Sequence, residues 1–553
     1  MKRKVVQPLL IGHGNDQEQQ AQEVVNAFSG LSRLPSIDYY IRDEDSYLIL
    51  LIANPSNRFF SILEDALEKI NEDNPFKYNT TLKKRATDSQ CNYLSLPESK
   101  YFQTVLSESL TATRYSFEDD FFSRYIASVS GVEQQIIAQG NHIVYGRRGA
   151  GKSSLLAYYM HTLRLKKLPY AWVAMQAFSG RDDFNVVVGV LVEVLIQLRN
   201  FDKDSSLIGL INELESLSES QEDSEKKFAK LIPKLRRSLL SIAEQYSSGI
   251  TIFLDDVHLI DRGIQPTLLD RIYALSRDNR IFLKISGIKQ FVKTWDSSKR
   301  LGMQDPGDVQ VIQLDNNLTM PDKCKQHIQK ILDAHAKYCG LTSVGYICQN
   351  GVLNRLVWVS AGVPRDALTI FSRAIAYCIS KNHKKVTIAG INMAASEMMA
   401  RKESDLREDL SSDPGSTTNQ KEILDLLTRI KDFCIKEKHI NSFLIEIVVD
   451  HAVYRRIQEL IALRFLHVLT DGITPETIGK RYLGLMLDYG CYVGIRAAKG
   501  VDLFYGKKLD PIRAHDLRRL PTFSLLNSNS KKISSSKKGK SKNRSKIEIE
   551  SFS

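Results

Sequence analysis

One segment of the chain has the residue types and spacing of a phosphate-binding loop. Residues 146–153 read Gly-Arg-Arg-Gly-Ala-Gly-Lys-Ser. Glycines allow successive backbone N–H groups to turn toward one point, and such a concave set of donors binds anions. The apolar run His142–Tyr145 precedes the loop and a helical pattern follows it, which is the strand–loop–helix context that the pattern requires. The segment therefore predicts a site for nucleotide phosphates, and the alternative is a glycine turn that only joins a strand to a helix.

The loop residues have distinct expected tasks. Lys152 is predicted to reach the β- and γ-phosphates of ATP, and the Ser153 hydroxyl is predicted to ligate Mg²⁺. The amino end of the following helix adds a partial positive charge near the phosphates. The residues predicted to bind the nucleotide are Gly146, Gly149, Ala150, Gly151, Lys152, Ser153 and Ser154.

A second candidate group lies about one hundred residues further on, where paired carboxylates end an apolar run. Thr251-Ile252-Phe253-Leu254 reads as a buried strand, and Asp255 and Asp256 follow it. Asp255 is predicted to hold the Mg²⁺ shell through water, and Asp256 to orient or deprotonate the attacking water. Taken alone, such a pair is more often a solvated loop start or a helix cap. Asp is also shorter than the Glu that most such ATPases carry at the second position, so slow hydrolysis is an open alternative.

The elements that must position these residues alternate between strand and helix over residues 116–316. The runs predicted as strands are His142–Tyr145, Tyr170–Met175, Ile250–Leu254, Ile281–Ser286 and Val309–Leu314. The helical patterns between them include Asp183–Leu198, Glu225–Tyr246 and Pro266–Arg277. Apolar strands joined by helices specify a parallel sheet covered on both faces. The predicted fold class is therefore α/β, a P-loop parallel sheet with helices on both faces.

Three further regions flank this sheet before the C-terminal tail. Residues 1–95 combine a predicted strand, Tyr47–Ile52, with an amphipathic helix from about Arg58 to Ile70, a small α+β region of unknown role. Residues 320–400 read as helices throughout, an all-α lid. A polar break at Ser411–Thr418 predicts a linker before a compact unit over 419–510.

Composition indicates a soluble globular protein, with 43% hydrophobic and 25% charged residues among 553. No uncharged apolar run approaches the roughly 18–20 residues that span a bilayer, and the first residues lack a signal-peptide core. A cytoplasmic location and no membrane partner are therefore expected.

The seven cysteines contain no CxxC pair. Reduced thiols, mostly in the core, are therefore expected in place of a metal site.

Positive charge is concentrated near the C-terminus. Eight lysine and arginine residues between 531 and 546 contribute to a net charge of +12. A Lys/Ser/Gly segment of this kind buries too little apolar surface to fold, so residues 527–553 are predicted to be a disordered basic tail. Such a tail attracts polyanions in a salt-dependent way, which favours DNA as a partner. A solubilising tail without a specific partner is the alternative.

With both halves of a nucleotide site in place, residues 116–400 resemble the AAA+ ATPases. Within these they are most similar to the origin-recognition and initiator type and to bacterial proteins that carry this domain. One segment of the likeness is Ile281–Gly287, where the family has its first sensor. The family commonly has Asn after Ile-Ser at this point. Here that position is Gly287, and Ser286 is the nearest substitute.

Two arginines complete the resemblance. Arg300, in Ser298-Lys299-Arg300-Leu301, stands where the family places its arginine finger, which implies that it reaches ATP bound to a neighbouring subunit. An exposed surface arginine is the alternative. The octet Ala361–Leu368 is close to the family's second sensor, which implies that Arg365 meets the γ-phosphate within the same subunit. The resemblance therefore implies ATP and Mg²⁺ as cofactors and a homo-oligomer or partner ATPase subunits.

The family adds a winged-helix domain after the lid, and residues 419–510 are expected to form one. Its predicted elements are two helices, a strand and a core-packing helix, over Gln420–Lys436, Asp450–Ala462, Arg464–Leu469 and Lys480–Gly490. Four basic residues of this domain are candidates for contacts with DNA phosphates, namely Arg455, Arg456, Lys480 and Arg481. Winged helices also serve as protein contacts, so a protein partner stays open.

The leading hypothesis is an ATP-dependent, DNA-associated switch. In it, ATP draws sheet and lid together through Lys152 and Arg365 and promotes subunit stacking through Arg300. The alternative is a signal-transducing NTPase switch, for example in phage defence, whose terminal domains bind protein. There the Asp255-Asp256 pair and Gly287 would mean slow turnover. A metabolic kinase is disfavoured because it needs neither the paired sensors nor the basic tail, and salt-dependent DNA binding separates the first two hypotheses.

Overall fold

The structure, a computed structural model, describes twelve ranges of the chain. They are 15–42, 47–86, 91–110, 117–128, 130–202, 206–219, 224–314, 318–412, 417–448, 451–474, 480–493 and 512–524. The helices within them are α1 (Asn15–Ser32), α2 (Asn57–Glu68), α3 (Pro97–Glu108), α4 (Asp119–Phe122), α5 (Val132–Ile137), α6 (Lys152–Leu165), α7 (Asp183–Leu198), α8 (Ser206–Glu219), α9 (Ser224–Glu244), α10 (Gln265–Ser276), α11 (Pro321–Tyr338), α12 (Val352–Val359), α13 (Pro364–Ser380), α14 (Ile388–Ser412), α15 (Thr417–Asp432), α16 (Ala452–Ala462) and α17 (Ala514–Arg518). The strands are β1 (Asp38–Arg42), β2 (Tyr47–Ile52), β3 (Thr80–Lys84), β4 (His142–Tyr145), β5 (Tyr170–Ala174), β6 (Ile250–Asp255), β7 (Ile281–Gly287), β8 (Trp295–Asp296), β9 (Leu301–Gly302), β10 (Gln310–Gln313), β11 (Ser442–Glu446), β12 (Leu466–Ile473) and β13 (Tyr482–Leu487).

The central element is a five-stranded sheet with the order β10-β4-β7-β6-β5, in which every neighbouring pair is parallel. All four residues of β4 are buried, as expected for a strand that is covered on both faces. Ile143 packs in a cluster with helices α7 to α10, whereas Val144 packs with α5 and α6 on the opposite face, because successive strand side chains alternate. The predicted parallel sheet with helices on both faces is therefore confirmed.

Helix α7 belongs to the most apolar helical stretch of this domain. The segment Asp183–Phe201 has a mean hydropathy of 1.5 and is long and apolar enough, by length and composition, to cross a membrane. However, Val186, Val190 and Val194 are buried in the cluster that also contains residues of β5 and α10. This packing identifies α7 as a core helix of the sheet domain.

The lid consists of α11 to α14 and is all-helical, as predicted for residues 320–400, although α14 continues to Ser412. The N-terminal region does not form a separate core, because its sheet, β1-β2-β3, and its helices share one apolar cluster with the lid. Arg58 Nη1 donates a hydrogen bond of 3.1 Å to the carbonyl of Tyr338 in α11, and its guanidinium lies 3.9 Å from the centre of the Tyr338 ring. Residues 15–110 thus extend the lid, a long-range arrangement that no local pattern predicted.

The C-terminal unit contains α15, β11, α16, β12 and β13, with the antiparallel sheet order β11-β13-β12. The predicted helix over Lys480–Gly490 is wrong, because Tyr482–Leu487 forms the central strand of this sheet. Five consecutive buried residues leave no periodicity from which a short apolar run could be recognised as strand or helix. The winged-helix assignment stays a prediction.

Several predicted segments lie outside the described residues. They are part of the predicted linker, residues 475–479, residues 494–511 and the basic tail.

The cysteines contribute to packing, as the sequence predicts. All seven are thiols outside any disulfide, and six are buried: Cys324, Cys339, Cys348, Cys378, Cys434 and Cys491. Burial raises the pKa of the Cys324 thiol to about 11 and that of Cys434 to about 12. These thiols therefore stay protonated at neutral pH, which makes them poor nucleophiles.

Candidate functional site

The phosphate loop joins the carboxyl end of β4 to the amino end of α6, in the predicted context. Gly149 has a φ of +85° and Gly151 a φ of +99°, a left-handed backbone that glycine adopts without steric cost. A Cβ added at Gly149 would also lie 2.8 Å from the Cβ of Arg365. The backbone N–H of Arg365 donates to the Gly149 carbonyl at 3.3 Å. Loop and lid therefore touch at Gly149, and this close approach requires a residue without a side chain.

The predicted metal ligands meet at the edge of the sheet where parallel strands end. Ser153 Oγ donates a hydrogen bond of 3.1 Å to Oδ1 of Asp255, the last residue of β6. Ser286 Oγ, near the end of β7, donates to the same oxygen at 2.6 Å and accepts from the Asp256 N–H at 2.8 Å. Strands β6 and β7 are neighbours in the sheet, which brings together residues that are far apart in sequence.

The charges of this edge fit a divalent cation. Desolvation, and secondly the charge of Asp256, raise the pKa of Asp255 to about 6. Lys152 Nζ lies 3.7 Å from Oδ1 of Asp256, so a single ammonium group balances part of the charge of two carboxylates. The hydroxyl of Ser153 and the carboxylate of Asp255 are hard oxygen donors of the kind that Mg²⁺ prefers. The residues present therefore fit the predicted metal.

A histidine that the sequence reasoning did not select completes this end of the site. His258 follows the acidic pair in a short turn, and its Nδ1 lies 3.7 Å from Oδ1 of Asp256. This nitrogen is buried and has no hydrogen-bond partner among the described residues. Burial lowers the pKa of His258 to about 4, so the imidazole is neutral at pH 7. The only sequence signal was a histidine two residues after Asp256, which is weak by itself.

Positive groups converge on the site from the loop and the lid. Arg365, near the start of α13, and Arg148 line the same cavity as Lys152. Burial, followed by the charges of Arg464 and Arg148, lowers the pKa of Arg365. A guanidinium whose pKa is lowered by its cationic neighbours gains stability when a polyanion enters, because the repulsion is then compensated.

The cavity between sheet and lid has the size of a nucleotide site. It encloses about 890 Å³, within the range of roughly 300–1,000 Å³ that is usual for ligand pockets. The cavity is lined by the residues predicted for phosphate, metal and sensor roles, namely Gly149, Ala150, Gly151, Lys152, Ser153, Ser154, Asp255, Asp256 and Arg365. Its lining also includes the aromatic and aliphatic side chains of Phe117, Tyr125 and Ile331. Of the predicted loop ligands, Gly146 does not line the cavity, and its N–H donates instead to the Gly287 carbonyl at 3.4 Å.

The sensor and finger positions lie elsewhere. Ser286 is fully buried and hydrogen bonded to the acidic pair, so it supports the carboxylates without lining the cavity. A Cβ added at Gly287 would lie 2.4 Å from Val292, so an asparagine there would require Val292 to move. Arg300 is exposed in the turn between β8 and β9 and does not line the cavity of its own chain. Its role toward a neighbouring subunit stays a prediction.

The four basic residues predicted to contact DNA divide into two pairs. Arg456 forms an ion pair with Glu422, and Lys480 lies 3.0 Å from a carboxylate oxygen of Glu446. Arg455 and Arg481 are exposed. Two of the four candidate charges are thus compensated by carboxylates of the same unit, which lowers the positive potential of this surface.

The sheet, the loop and the helical lid together decide the fold. This is a P-loop α/β fold with an all-helical lid. No family model and no curated protein matches the chain. Among solved structures, the chain is similar to the Aeropyrum pernix ORC1 protein in complex with DNA, at 14% identity and a TM-score of 0.36, covering 70% of this chain and 96% of that one.

Two further solved structures show similar values. Drosophila ORC bound to DNA has 13% identity and a TM-score of 0.33, covering 75% of this chain and 94% of that one. Cdc6p of Pyrobaculum aerophilum has 15% identity and a TM-score of 0.34, covering 70% of this chain and 98% of that one. The fold itself is established by the geometry of this chain.

Proposed function

We propose that this chain is an ATP-binding and ATP-hydrolysing switch of the initiator-like AAA+ type that works in association with DNA in the cytoplasm. The observation that supports it most is the convergence of Lys152, the Ser153–Asp255 pair and Arg365 on one cavity. A triphosphate carries several negative charges close together, so it needs such a combination of ammonium, guanidinium and backbone donors.

Binding is assigned to the loop and to the apolar side chains of the cavity lining. The backbone N–H groups from Gly149 to Ser153 would hold the phosphates. Lys152 would leave its contact with Asp256 and bind the β- and γ-phosphates instead. Bound Mg²⁺, held by Ser153 and through water by Asp255, would neutralise phosphate charge. The aromatic and aliphatic side chains of the lining, Phe117, Tyr125 and Ile331, would cover the base.

Hydrolysis is assigned to Asp256. Its side chain is 37% exposed toward the cavity and lies beside Lys152 and His258. In the proposed step, a water oxygen bonds to the γ-phosphorus while the bond from that phosphorus to the ADP oxygen breaks, and a water proton passes to the Asp256 carboxylate. Arg365 would stabilise the charge that develops on the γ-phosphoryl oxygens.

The switch follows from the contact between loop and lid. Arg365 belongs to the lid, yet its backbone bonds to the loop at Gly149. A γ-phosphate would add a second link, through the guanidinium, and its release would remove that link. The angle between sheet and lid would therefore depend on the nucleotide.

The proposed association with DNA depends on basic residues in the C-terminal part of the chain. It is supported by the exposed Arg455 and Arg481 and by the basic residues of the segment 527–553. The ion pairs of Arg456 and Lys480 favour the second candidate, a signal-transducing NTPase whose C-terminal unit binds protein, because they leave this unit less positive. Salt dependence distinguishes the two, since contacts to DNA phosphates weaken steeply as salt rises.

The test is ATPase turnover and nucleotide binding, with and without duplex DNA, for the wild type and for Lys152→Ala. Lys152→Ala should abolish binding or turnover, because no other group reaches the β- and γ-phosphates from this position. Lys166→Ala is the matched control, since Lys166 is exposed at the far end of α6. Unchanged binding and turnover in Lys152→Ala would refute the nucleotide assignment. Absence of DNA binding at low salt would refute the DNA part alone.

A further inference from the structure

The C-terminal unit forms part of the wall of the nucleotide cavity. Glu459, Ala462 and Leu463, at the carboxyl end of α16, line the cavity together with the phosphate loop and the lid. Arg464 follows in a left-handed conformation, with a φ of +63°, and turns the chain from α16 into β12. The start of β12 is therefore held beside the site where loop and lid meet.

The first of two ties, that is, of two side-chain contacts made by the C-terminal unit, connects the turn at Arg464 to the lid next to Arg365. Arg464 forms an ion pair with Asp366, whose side chain is only 5% exposed. Asp366 is the residue after Arg365 in α13. A buried carboxylate that loses its partner is strongly destabilised, so Arg464 fixes the first turn of α13, from which the Arg365 side chain enters the cavity.

A second tie connects the C-terminal unit to the phosphate loop. Nη1 of Arg147 lies 3.3 Å from Nδ1 of His467, and its Nη2 donates to the Ala361 carbonyl of the lid at 3.3 Å. Nε2 of His467 lies 2.8 Å from Oδ2 of Asp488, and both side chains are almost fully buried. Arg147 thus bridges three parts of the molecule.

The partners of His467 define its protonation. A guanidinium only donates hydrogen bonds, so Nδ1 of His467 must accept from Arg147. Nε2–H then donates to Asp488, whose other oxygen accepts from the Gly490 N–H at 2.8 Å. The ring is therefore neutral and fixed in one tautomer, with an acceptor directed at the loop.

We propose that His467 and Arg464 are positioning residues of the nucleotide site, which act through Arg147 on the phosphate loop and through Asp366 on the lid arginine. The two ties clamp loop, lid and C-terminal unit together and slow nucleotide release. This inference rests on the proposed function. It adds that the C-terminal unit responds to the nucleotide together with the lid, because the tie between Arg147 and His467 strains when loop and lid separate.

The test is the dissociation rate constant of a fluorescent ATP analogue, measured by stopped flow on the full chain. His467→Leu and Arg147→Met should each raise this constant at least about tenfold, the scale of a lost charge-assisted hydrogen bond. The double variant should show little further change, because both substitutions remove the same bond. His467→Gln should stay near the wild type, since a glutamine offers both an acceptor and a donor. A fraction of misfolded protein lowers the signal amplitude but not the rate constant.

His515→Leu is the control, because His515 is 63% exposed on α17. Unchanged dissociation in His467→Leu, or fully additive effects in the double variant, would overturn the inference. If His467→Leu does not fold, Arg464→Gln and Arg464→Lys test the same inference. Arg464→Gln should release the nucleotide faster than the wild type, and Arg464→Lys should release it at the wild-type rate. Unchanged nucleotide binding and turnover in Lys152→Ala would instead overturn the proposed function.

Discussion

At the residue scale, Asp255 and Asp256 are adjacent in sequence but have opposite surroundings. Asp255 accepts hydrogen bonds from Ser153 and Ser286 on one oxygen and is desolvated. Asp256 has a left-handed backbone, with a φ of +60°, which turns its side chain toward Lys152 and the cavity. The first therefore suits a metal shell and the second suits proton transfer. These are the roles predicted from the sequence, and both stay predictions.

We expect Asp256→Asn to retain ATP binding and to lose hydrolysis. The amide keeps the size and the left-handed backbone but cannot accept a proton, and general-base catalysis contributes about 10²–10⁴-fold. Steady-state turnover together with nucleotide affinity measures the two effects separately. Asp278→Asn is a matched control, because Asp278 also has a φ of +60° but is exposed. Normal hydrolysis by Asp256→Asn would show that another group is the base.

We expect His258→Leu to lower turnover by about tenfold, with nucleotide affinity close to that of the wild type. The substitution removes a neutral polar group 3.7 Å from Asp256 without removing any predicted phosphate contact. His258→Gln should recover part of the activity, because it restores a polar group. His383→Leu, an exposed position of the lid, provides the control. Equal turnover in His258→Leu and the wild type would show that His258 only packs.

At the element scale, a buried lysine in the middle of β7 binds the amino end of β4. Lys284 Nζ donates to the carbonyls of Ala138 and Gly140 at 2.7 and 2.9 Å and lies 2.9 Å from Nδ1 of His142. Desolvation and the charge of Lys284 lower the pKa of His142 from 6.5 to about 4. This cluster lies at the amino end of β4, whereas the phosphate loop follows its carboxyl end. It therefore stabilises the pairing of β4 with β7, two of the strands that carry the site.

The lowered pKa of His142 predicts a pH dependence of stability. The unfolded chain takes up a proton at His142 near pH 6.5 and the folded chain only near pH 4, so the free energy of unfolding falls as pH decreases between these values. The slope is about 1.4 kcal/mol per pH unit for one group. Urea unfolding at pH 6.5 and pH 5 should therefore show a larger loss for the wild type than for His142→Gln, by about 1–2 kcal/mol. Equal losses would contradict the assignment.

Features of this fold that depend on neighbouring residues can be predicted from the sequence, whereas contacts between distant segments cannot. The strands of the central sheet, the glycine loop and the acidic pair have local signals, namely apolar runs, glycine spacing and a strand that ends in carboxylates. Strand β13 has no such signal, since a short apolar run is compatible with strand or helix. The bond between Arg147 and His467 joins residues 320 positions apart. Neither residue is unusual in its own segment, so only the tertiary structure reveals the contact.

At the scale of the whole molecule, the exposed Arg300 becomes informative only in an assembly. If it completes the site of a neighbouring chain, Arg300→Ala should keep nucleotide affinity and lose turnover, because a finger stabilises the transition state. Wild-type turnover per chain should rise with protein concentration, as expected for a shared site. Lys299→Ala, at the exposed neighbouring position, is the control.

Mixing variants sharpens this test. Lys152→Ala chains cannot hydrolyse ATP themselves but carry an intact Arg300, so they should restore turnover to Arg300→Ala chains in the same assembly. If turnover is not restored and does not depend on protein concentration, Arg300 is an exposed surface residue without a role in a neighbouring site.

The distribution of apolar clusters has a mechanical consequence. The N-terminal region, the lid and the C-terminal unit share one cluster, whereas the sheet domain has two of its own. The cavity lies along the seam between these bodies, close to the contact between Gly149 and Arg365. A rotation of a few degrees about this contact would displace the distant surfaces of the larger body by more than it displaces the residues at the cavity. Under the proposed function, a partner bound far from the site would therefore detect the loss of a single phosphate group.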